Sequence, residues 1–282
     1  MNQRDQFNVK CGDRPLIFDP LKILLYRILF SKKWVSSLIP NRYFLINVHG
    51  SKMFLNLKDP AMRAYALGIY EYWKTLFFMD FIKPGMTVID IGANKGYFSL
   101  LAAKILNGKG RILSFEPEPG NCFWIRKNIE ANDYKIIKLF QIALSDKEGK
   151  ADLFLGKTEG AHSLNKSWQS LRSEKRAITV ETRKLDSILK EENINEVDFI
   201  KIDVEGAELE VLIGSQDYLK NKKNLVITMD IHPGVNRNEI YNLLSRNGFK
   251  IYSIEKRHKT ISKEDFVNGP YSMEICAFKG EL

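Results

Sequence analysis

Short apolar runs rich in β-branched residues alternate along this chain with stretches whose apolar positions recur every three to four residues. Thr87–Ile91, Arg111–Phe115, Ile137–Gln141, Phe199–Asp203 and Leu225–Ile231 read as buried parallel strands, because a strand covered on both faces loses the polar alternation of a half-exposed one. Lys250–Glu255 and Met273–Phe278 would close the same sheet, and Tyr97–Ile105, Glu208–Leu219 and Val235–Arg246 have helical spacing. Strands alternating with helices predict an α/β sheet with its ligand at the carboxyl edge. Leu153–Leu155 and Ile178–Glu181 look like extra strands around a long basic loop.

Ahead of this pattern the spacing changes, so residues 1–82 are expected to form an amino-terminal appendage and 83–282 the main domain. Between Pro20 and Pro40, Leu21, Leu24, Leu25, Ile28 and Leu29 mark one face of an amphipathic helix. Lys22, Arg27, Lys32 and Lys33 interrupt its apolar side and disfavour a membrane span. Packing on the main domain is one reading of this helix; peripheral contact with anionic lipid through residues 20–40 is the other. Tyr43–Val48 and Met53–Leu57, joined by His49-Gly50-Ser51-Lys52, give a hairpin signal, and Ala61–Ile82 reads as one helix.

A chain of 282 residues that is 44% hydrophobic, with only 18 Gly and 9 Pro, is neither disordered nor collagen-like. Its net charge of +9 is local. Met1–Arg42 holds eight basic and three acidic residues, Asn165–Lys184 six and two, and the remainder is balanced. Two such segments suit phosphate, an anionic glycan or an anionic membrane surface, or serve solubility alone. Cys11, Cys122 and Cys276 form no CxxC pair, and the polar first twenty residues do not resemble a secretory signal. Reduced thiols and a cytoplasmic location are therefore expected.

The chemistry starts where the first sheet strand ends. Asp90-x-Gly92-x-x-x-Gly96 joins that strand to a helix, which lets a cofactor approach the backbone closely. The loop lacks the third glycine of a dinucleotide fingerprint and the Gly-Lys-Ser/Thr ending of a P-loop. The second strand ends at Glu116, 24 residues beyond Gly92, near the spacing expected of a ribose-binding carboxylate. Glu71, just ahead of the loop, joins the cofactor-binding candidates.

Val88-Ile-Asp-Ile-Gly-Ala-Asn-Lys-Gly96, Phe115-Glu-Pro-Glu-Pro119, Asn128, Asn132, Ala143-Leu-Ser-Asp146, Leu185-Asp186, Asp198-Phe-Ile-Lys-Ile-Asp-Val-Glu-Gly-Ala-Glu208 and Val211-Leu-Ile-Gly214 resemble the FkbM family of S-adenosylmethionine-dependent methyltransferases. The resemblance covers about residues 68–232. It implies a class I, Rossmann-like methyltransferase fold with a mixed seven-stranded sheet flanked by helices. By the same resemblance Asp90, Gly92, Asn94 and Gly96 would surround the methionine part of S-adenosylmethionine, and Glu116 would hold its ribose. Pro117 would lie beside them, and Ala143 and Leu144 are candidates for the adenine pocket or for strand-end packing.

Methyl transfer is an in-line displacement, so the protein must position the acceptor and take a proton from a hydroxyl. Asp203 and Glu205 follow the fourth strand, and Asp230 and His232 close the fifth. Asp203, Glu205 and His232 are the catalytic candidates, with His232 or Asp203 as a metal-free base. In a second reading Asp203, Asp230 and His232 ligate a divalent metal; in a third, Lys201 pairs with a carboxylate and His232 caps the next helix. His162 and Ser163 are candidate acceptor contacts. The resemblance implies O-methylation of a glycan, a lipid-linked sugar or a small natural product, an anionic one if the basic loop takes part. Competing readings are an RNA methyltransferase, for which no RNA-binding module is visible, and a noncatalytic binding protein that keeps the fold.

Overall fold

A computed structural model describes residues 38–156, 162–165, 173–254 and 259–280. The amphipathic helix expected between Pro20 and Pro40 lies outside them except for its last three residues, as do Cys11 and much of the basic stretch after Asn165. The chain divides into two compact units between Phe81 and Ile82.

In the first unit, β1 (Tyr43–Val48) pairs antiparallel with β2 (Ser51–Asn56). The expected four-residue connection shrinks to two, because Ser51 and Lys52 pair with Val48 and Asn47. His49 and Gly50 both have positive φ (49° and 85°), the backbone that matches the twist of a tight hairpin. The single helix expected over residues 61–82 is two: α1 (Pro60–Leu67) and α2 (Tyr72–Phe81). Asp59 caps the start of α1 by accepting from Ala61 N at 2.7 Å, and Gly68, left-handed at φ 67°, ends it.

The second unit is built on a seven-stranded sheet of β3 (Thr87–Ile91), β4 (Arg111–Phe115), β5 (Ile137–Phe140), β9 (Phe199–Ile202), β10 (Leu225–Ile231), β11 (Lys250–Ser253) and β12 (Met273–Lys279). Their order is β11-β12-β10-β9-β3-β4-β5, with β12 antiparallel to both its neighbours and the other pairs parallel. Ile89, Leu113, Ile200 and Ile227 fill its centre and are buried. Helices α3 (Tyr97–Leu106), α4 (Pro119–Asn132), α5 (Leu185–Glu191), α6 (Glu208–Ile213), α7 (Gln216–Asn221), α8 (Arg237–Arg246) and α9 (Lys263–Val267) complete the unit. This is the mixed α/β architecture expected, and the strand order reverses between β3 and β9, where open α/β sheets place their ligands.

Two expectations change here. The helix expected over residues 208–219 breaks into α6 and α7 at Gly214 and Ser215, where Ser145 approaches so closely that a Cβ on Gly214 would lie 2.0 Å from its carbonyl oxygen. Asp186 then supports the start of α7 by accepting from Asp217 N and Tyr218 N, both at 3.0 Å. The extra strands are longer than expected and form a separate sheet, ordered β6 (Ala143–Leu144), β8 (Ser173–Arg183), β7 (Gly149–Gly156). Ala143 and Leu144 thus belong to this small sheet and not to the end of β5.

Candidate active site

The loop after β3 is shaped by two left-handed glycines, Gly92 (φ 74°) and Gly96 (φ 85°). Gly92 N and Ala93 N each donate to Phe115 O at 3.0 Å, which ties the loop to the end of β4. Gly96 caps α3 without a side chain, so the first-turn N–H groups of that helix receive no side-chain acceptor from it. Beside them Asn94, itself at φ 52°, buries a side-chain oxygen with no hydrogen-bond partner among the described residues. A helix terminus and an orphaned buried acceptor suit a ligand that carries both a carboxylate and an ammonium.

Asp90 does not face this opening. It is buried beneath the loop, Oδ2 accepting from Ser99 Oγ at 2.6 Å and Oδ1 facing Lys201 Nζ at 3.3 Å. Lys201, also buried, donates to Gly92 O at 2.8 Å and lies 3.6 Å from Asp203 Oδ2. Asp90 therefore anchors the loop from within the protein, through Ser99 and Lys201.

Glu116 sits at the mouth of the loop, 5% exposed. Its carboxylate accepts from Asn94 N (2.8 Å), Glu118 N (3.0 Å) and Asn121 Nδ2 (3.2 Å). Burial outweighs these bonds, weakens the acid and pushes its pKa up to about 7. Pro117 follows, half-buried.

The second half of the site lies at the ends of β9 and β10. His232 Nδ1 is 2.7 Å from Glu208 Oε1, and its Nε2 lies 3.4 Å from Glu205 Oε2 and 3.9 Å from Asp203 Oδ1. Glu208, absent from the expected site residues, opens α6 and is fully buried; its Oε1 also accepts from Gly206 N at 2.9 Å. Burial alone would keep His232 neutral, but the Glu208 hydrogen bond and the charges of Asp203, Glu208 and Glu205 prevail and raise it to about 10. These carboxylates favour the protonated imidazole over the free base. His232 does not cap the next helix, a task Asn236 performs by accepting from Glu239 N. The stabilisation from His232 is complete below its unfolded value near 6.5 and is lost as pH rises through about 10. Glu208→Gln is expected to bring the imidazole titration back toward the ordinary range. An unchanged imidazole titration by NMR would show that Glu208 does not hold the proton there.

The carboxylate and imidazole atoms of Asp203, Glu205 and His232 lie within 4.8 Å of one another, so in this set Glu205 takes the place that the metal reading gave to Asp230. Asp230, next to last in β10 and opposite Glu274, also offers an oxygen within 4.8 Å of one of Asp203's. Ser163 is fully buried and unavailable to an acceptor: its hydroxyl donates to Glu205 O at 2.5 Å and accepts from Asn165 N at 2.9 Å. Its effect on the site is to fix the turn that carries Glu205, itself left-handed at φ 52°. His162 Nδ1 accepts from Gly156 N at 3.1 Å, closing the end of β7. Ala143 and Leu144 bury their side chains in two apolar clusters, which favours packing over an adenine pocket. Glu71 lies in the first unit, 2.6 Å from the buried Lys74 Nζ.

Sheet order, glycine loop and strand-end carboxylate together define a class I methyltransferase fold. The chain belongs to the FkbM methyltransferase family, whose domain model matches residues 90–251, more than half of its length. It is 31% identical over 152 residues to the 2-O-methyltransferase NoeI of Sinorhizobium fredii, covering 49% of this chain and 60% of that one. It is 30% identical to the methyltransferase sdnD of Sordaria araneosa (58% and 73% covered) and 28% identical to the hexuronic acid methyltransferase AglP of Haloferax volcanii (64% and 68%). The chain thus spans less than two thirds of NoeI and somewhat more of the other two.

Proposed function

We propose that this protein transfers the methyl group of S-adenosylmethionine to a hydroxyl of a saccharide, on a glycan, a lipid-linked sugar or a glycosylated small molecule. The observation that carries the reading is the meeting, at adjacent strand ends, of an open glycine loop with Glu116 on one side and the Asp203–Glu205–His232 cluster on the other. Glu116 would accept from the ribose hydroxyls, while Asn94 and the start of α3 would hold the methionine end. S-adenosylmethionine, when bound, would supply the methyl group, and Asp203 or Glu205 would take the proton of the acceptor hydroxyl. A positive charge on His232, whose Nε2 lies 3.4 Å from Glu205 Oε2 and 3.9 Å from Asp203 Oδ1, would hold those two carboxylates close together. With its imidazole neutral, His232 would instead join Asp203 and Glu205 as a donor set for a divalent cation, which would supply acidity to the bound hydroxyl. Names such as 2-O-methyltransferase and hexuronic acid methyltransferase among the relatives support an oxygen acceptor on a sugar.

The anionic reading draws less support. Arg183, one of the basic residues behind it, is committed to Glu148 at 2.5 Å and to Glu191.

Titration calorimetry tests the cofactor half. Ribose hydroxyls donate, so they favour ionised Glu116. Because its value near 7 lies above the unfolded one, the free protein loses stability as pH climbs from about 4.5 to 7, and ligand binding offsets that loss. S-adenosylhomocysteine is expected to release about half a proton at pH 7, measured in buffers of different ionisation enthalpy. Glu116→Gln should abolish the release. No binding by the folded protein would sink the methyltransferase reading.

A further inference from the structure

Helix α4 touches both parts of the cofactor site, and its contacts recur at helical spacing. Asn121, Ile125 and Asn128 are four and then three residues apart, the spacing of one helix face. Asn121 Nδ2 donates to Glu116 Oε1 at 3.2 Å. Ile125 packs on Gly96, where a Cβ would meet its side chain at 3.4 Å. Asn128 Nδ2 donates to Lys95 O at 3.1 Å. All three side chains are buried. A buried amide costs stability unless it is bonded, so apolar residues would fill this face more simply. Asn121 even buries an Oδ1 with no hydrogen-bond partner among the described residues. What the two asparagines have in common is that each grips one element of the cofactor site.

The bond to Lys95 O fixes a peptide plane. On the other side of that plane Gly96 N donates to Ala93 O at 2.7 Å. Gly96 has no Cβ to resist a rotation of the plane, so these two bonds supply the resistance. Asn94 comes just before it, held by its own N–H, which donates to Glu116 Oε2 at 2.8 Å. Its side chain therefore stands between two fixed points, Glu116 and the Lys95 carbonyl. Without Asn128 that carbonyl loses a buried donor, and turning the plane over is a route to another.

We infer that Asn121 and Asn128 are positioning residues for the two ends of the cofactor: Asn121 aims Glu116 at the ribose, and Asn128 holds the glycine loop for the methionine carboxylate and ammonium. The inference rests on the reading of this loop and Glu116 as the S-adenosylmethionine site. It adds that one face of α4 sets both ends, each through a separate residue.

Calorimetric titration with S-adenosylhomocysteine and with methylthioadenosine, which keeps the nucleoside and lacks the amino-acid end, separates the two roles. Asn121→Ala is expected to weaken both ligands about tenfold. Asn128→Ala should weaken S-adenosylhomocysteine about tenfold and change methylthioadenosine by less than about twofold. A general loss of structure would not produce that split. Where an alanine variant does not fold, threonine replaces it, being closer to asparagine in volume and able to engage its hydroxyl within its own helix. Hydrogen exchange without ligand gives a second measurement: in Asn128→Ala the Gly96 amide should exchange faster, while Leu100 N, bonded to Gly96 O at 2.8 Å, keeps its protection. Equal losses for both ligands in Asn128→Ala, no loss in either variant, or unchanged exchange at Gly96 overturns the inference and leaves the methyltransferase reading in place. If S-adenosylhomocysteine does not bind the folded wild-type protein, that reading falls and the inference with it.

Discussion

Gly92→Ala is expected to cost about 3–5 kcal/mol of stability and to abolish cofactor binding, whereas Gly96→Ala should cost only about 1–2 kcal/mol. Both glycines have a left-handed φ, so conformational strain is common to them. What differs is the space around each. A Cβ on Gly92 would sit 1.8 Å from the backbone oxygen of Asp203, which cannot move aside without parting the ends of β3 and β9, where Asp203 N donates to Ile91 O at 3.1 Å. On Gly96 the nearest atom is 3.4 Å away, in the side chain of Ile125. Urea unfolding of the two variants gives the comparison; equal losses would mean that the approach of the two strand ends is not the constraint. The same contact explains why one substitution would reach both halves of the site, since the oxygen it strikes belongs to a catalytic candidate.

The strands were legible because each is a continuous β-branched run. Leu225–Ile231 has the limits its composition suggests, since no charged residue interrupts it until Asp230. Of the two helix breaks, the first has a local cause, Gly68, which apolar periodicity alone passes over; the second involves a residue distant in sequence. Gly214 looks like a tolerated helix glycine until the Ser145 carbonyl is seen against it. The glycine loop and Glu116 could be read from spacing, but the direction in which each carboxylate points could not. Asp90 and Glu116 both close a strand sequence, yet one lies under the loop with Lys201 and the other opens onto it with three N–H donors. Glu208 read as an acid in the first turn of a helix, where acids are common for their effect on the dipole. Only the packing of α6 against β10 makes it the partner of His232. The acidic signal was present in the motif; the pairing was not.

Lys201→Met is expected to destabilise the protein by about 3–5 kcal/mol, because it removes one member of a buried ion pair and leaves the other. Lys201 and Asp90 are 3% and 1% exposed, so neither can recover its interactions from water. The lysine also ties Gly92 O to Asp203, joining the cofactor loop to the acceptor-side carboxylate through one ammonium group. Its removal should therefore weaken S-adenosylhomocysteine binding even in molecules that remain folded. A double-mutant cycle separates charge from packing. If the cost is the stranded carboxylate, Lys201→Met combined with Asp90→Asn should be more stable than Lys201→Met alone, with a coupling of about 1–3 kcal/mol in urea unfolding. Simple additivity would assign the loss to the missing contacts with Gly92 and Phe98, whose ring centroid lies 5.5 Å from Lys201 Nζ. Cofactor affinity in the double variant then reports on the loop itself: it should stay low, because the bond to Gly92 O is absent whether or not Asp90 is charged.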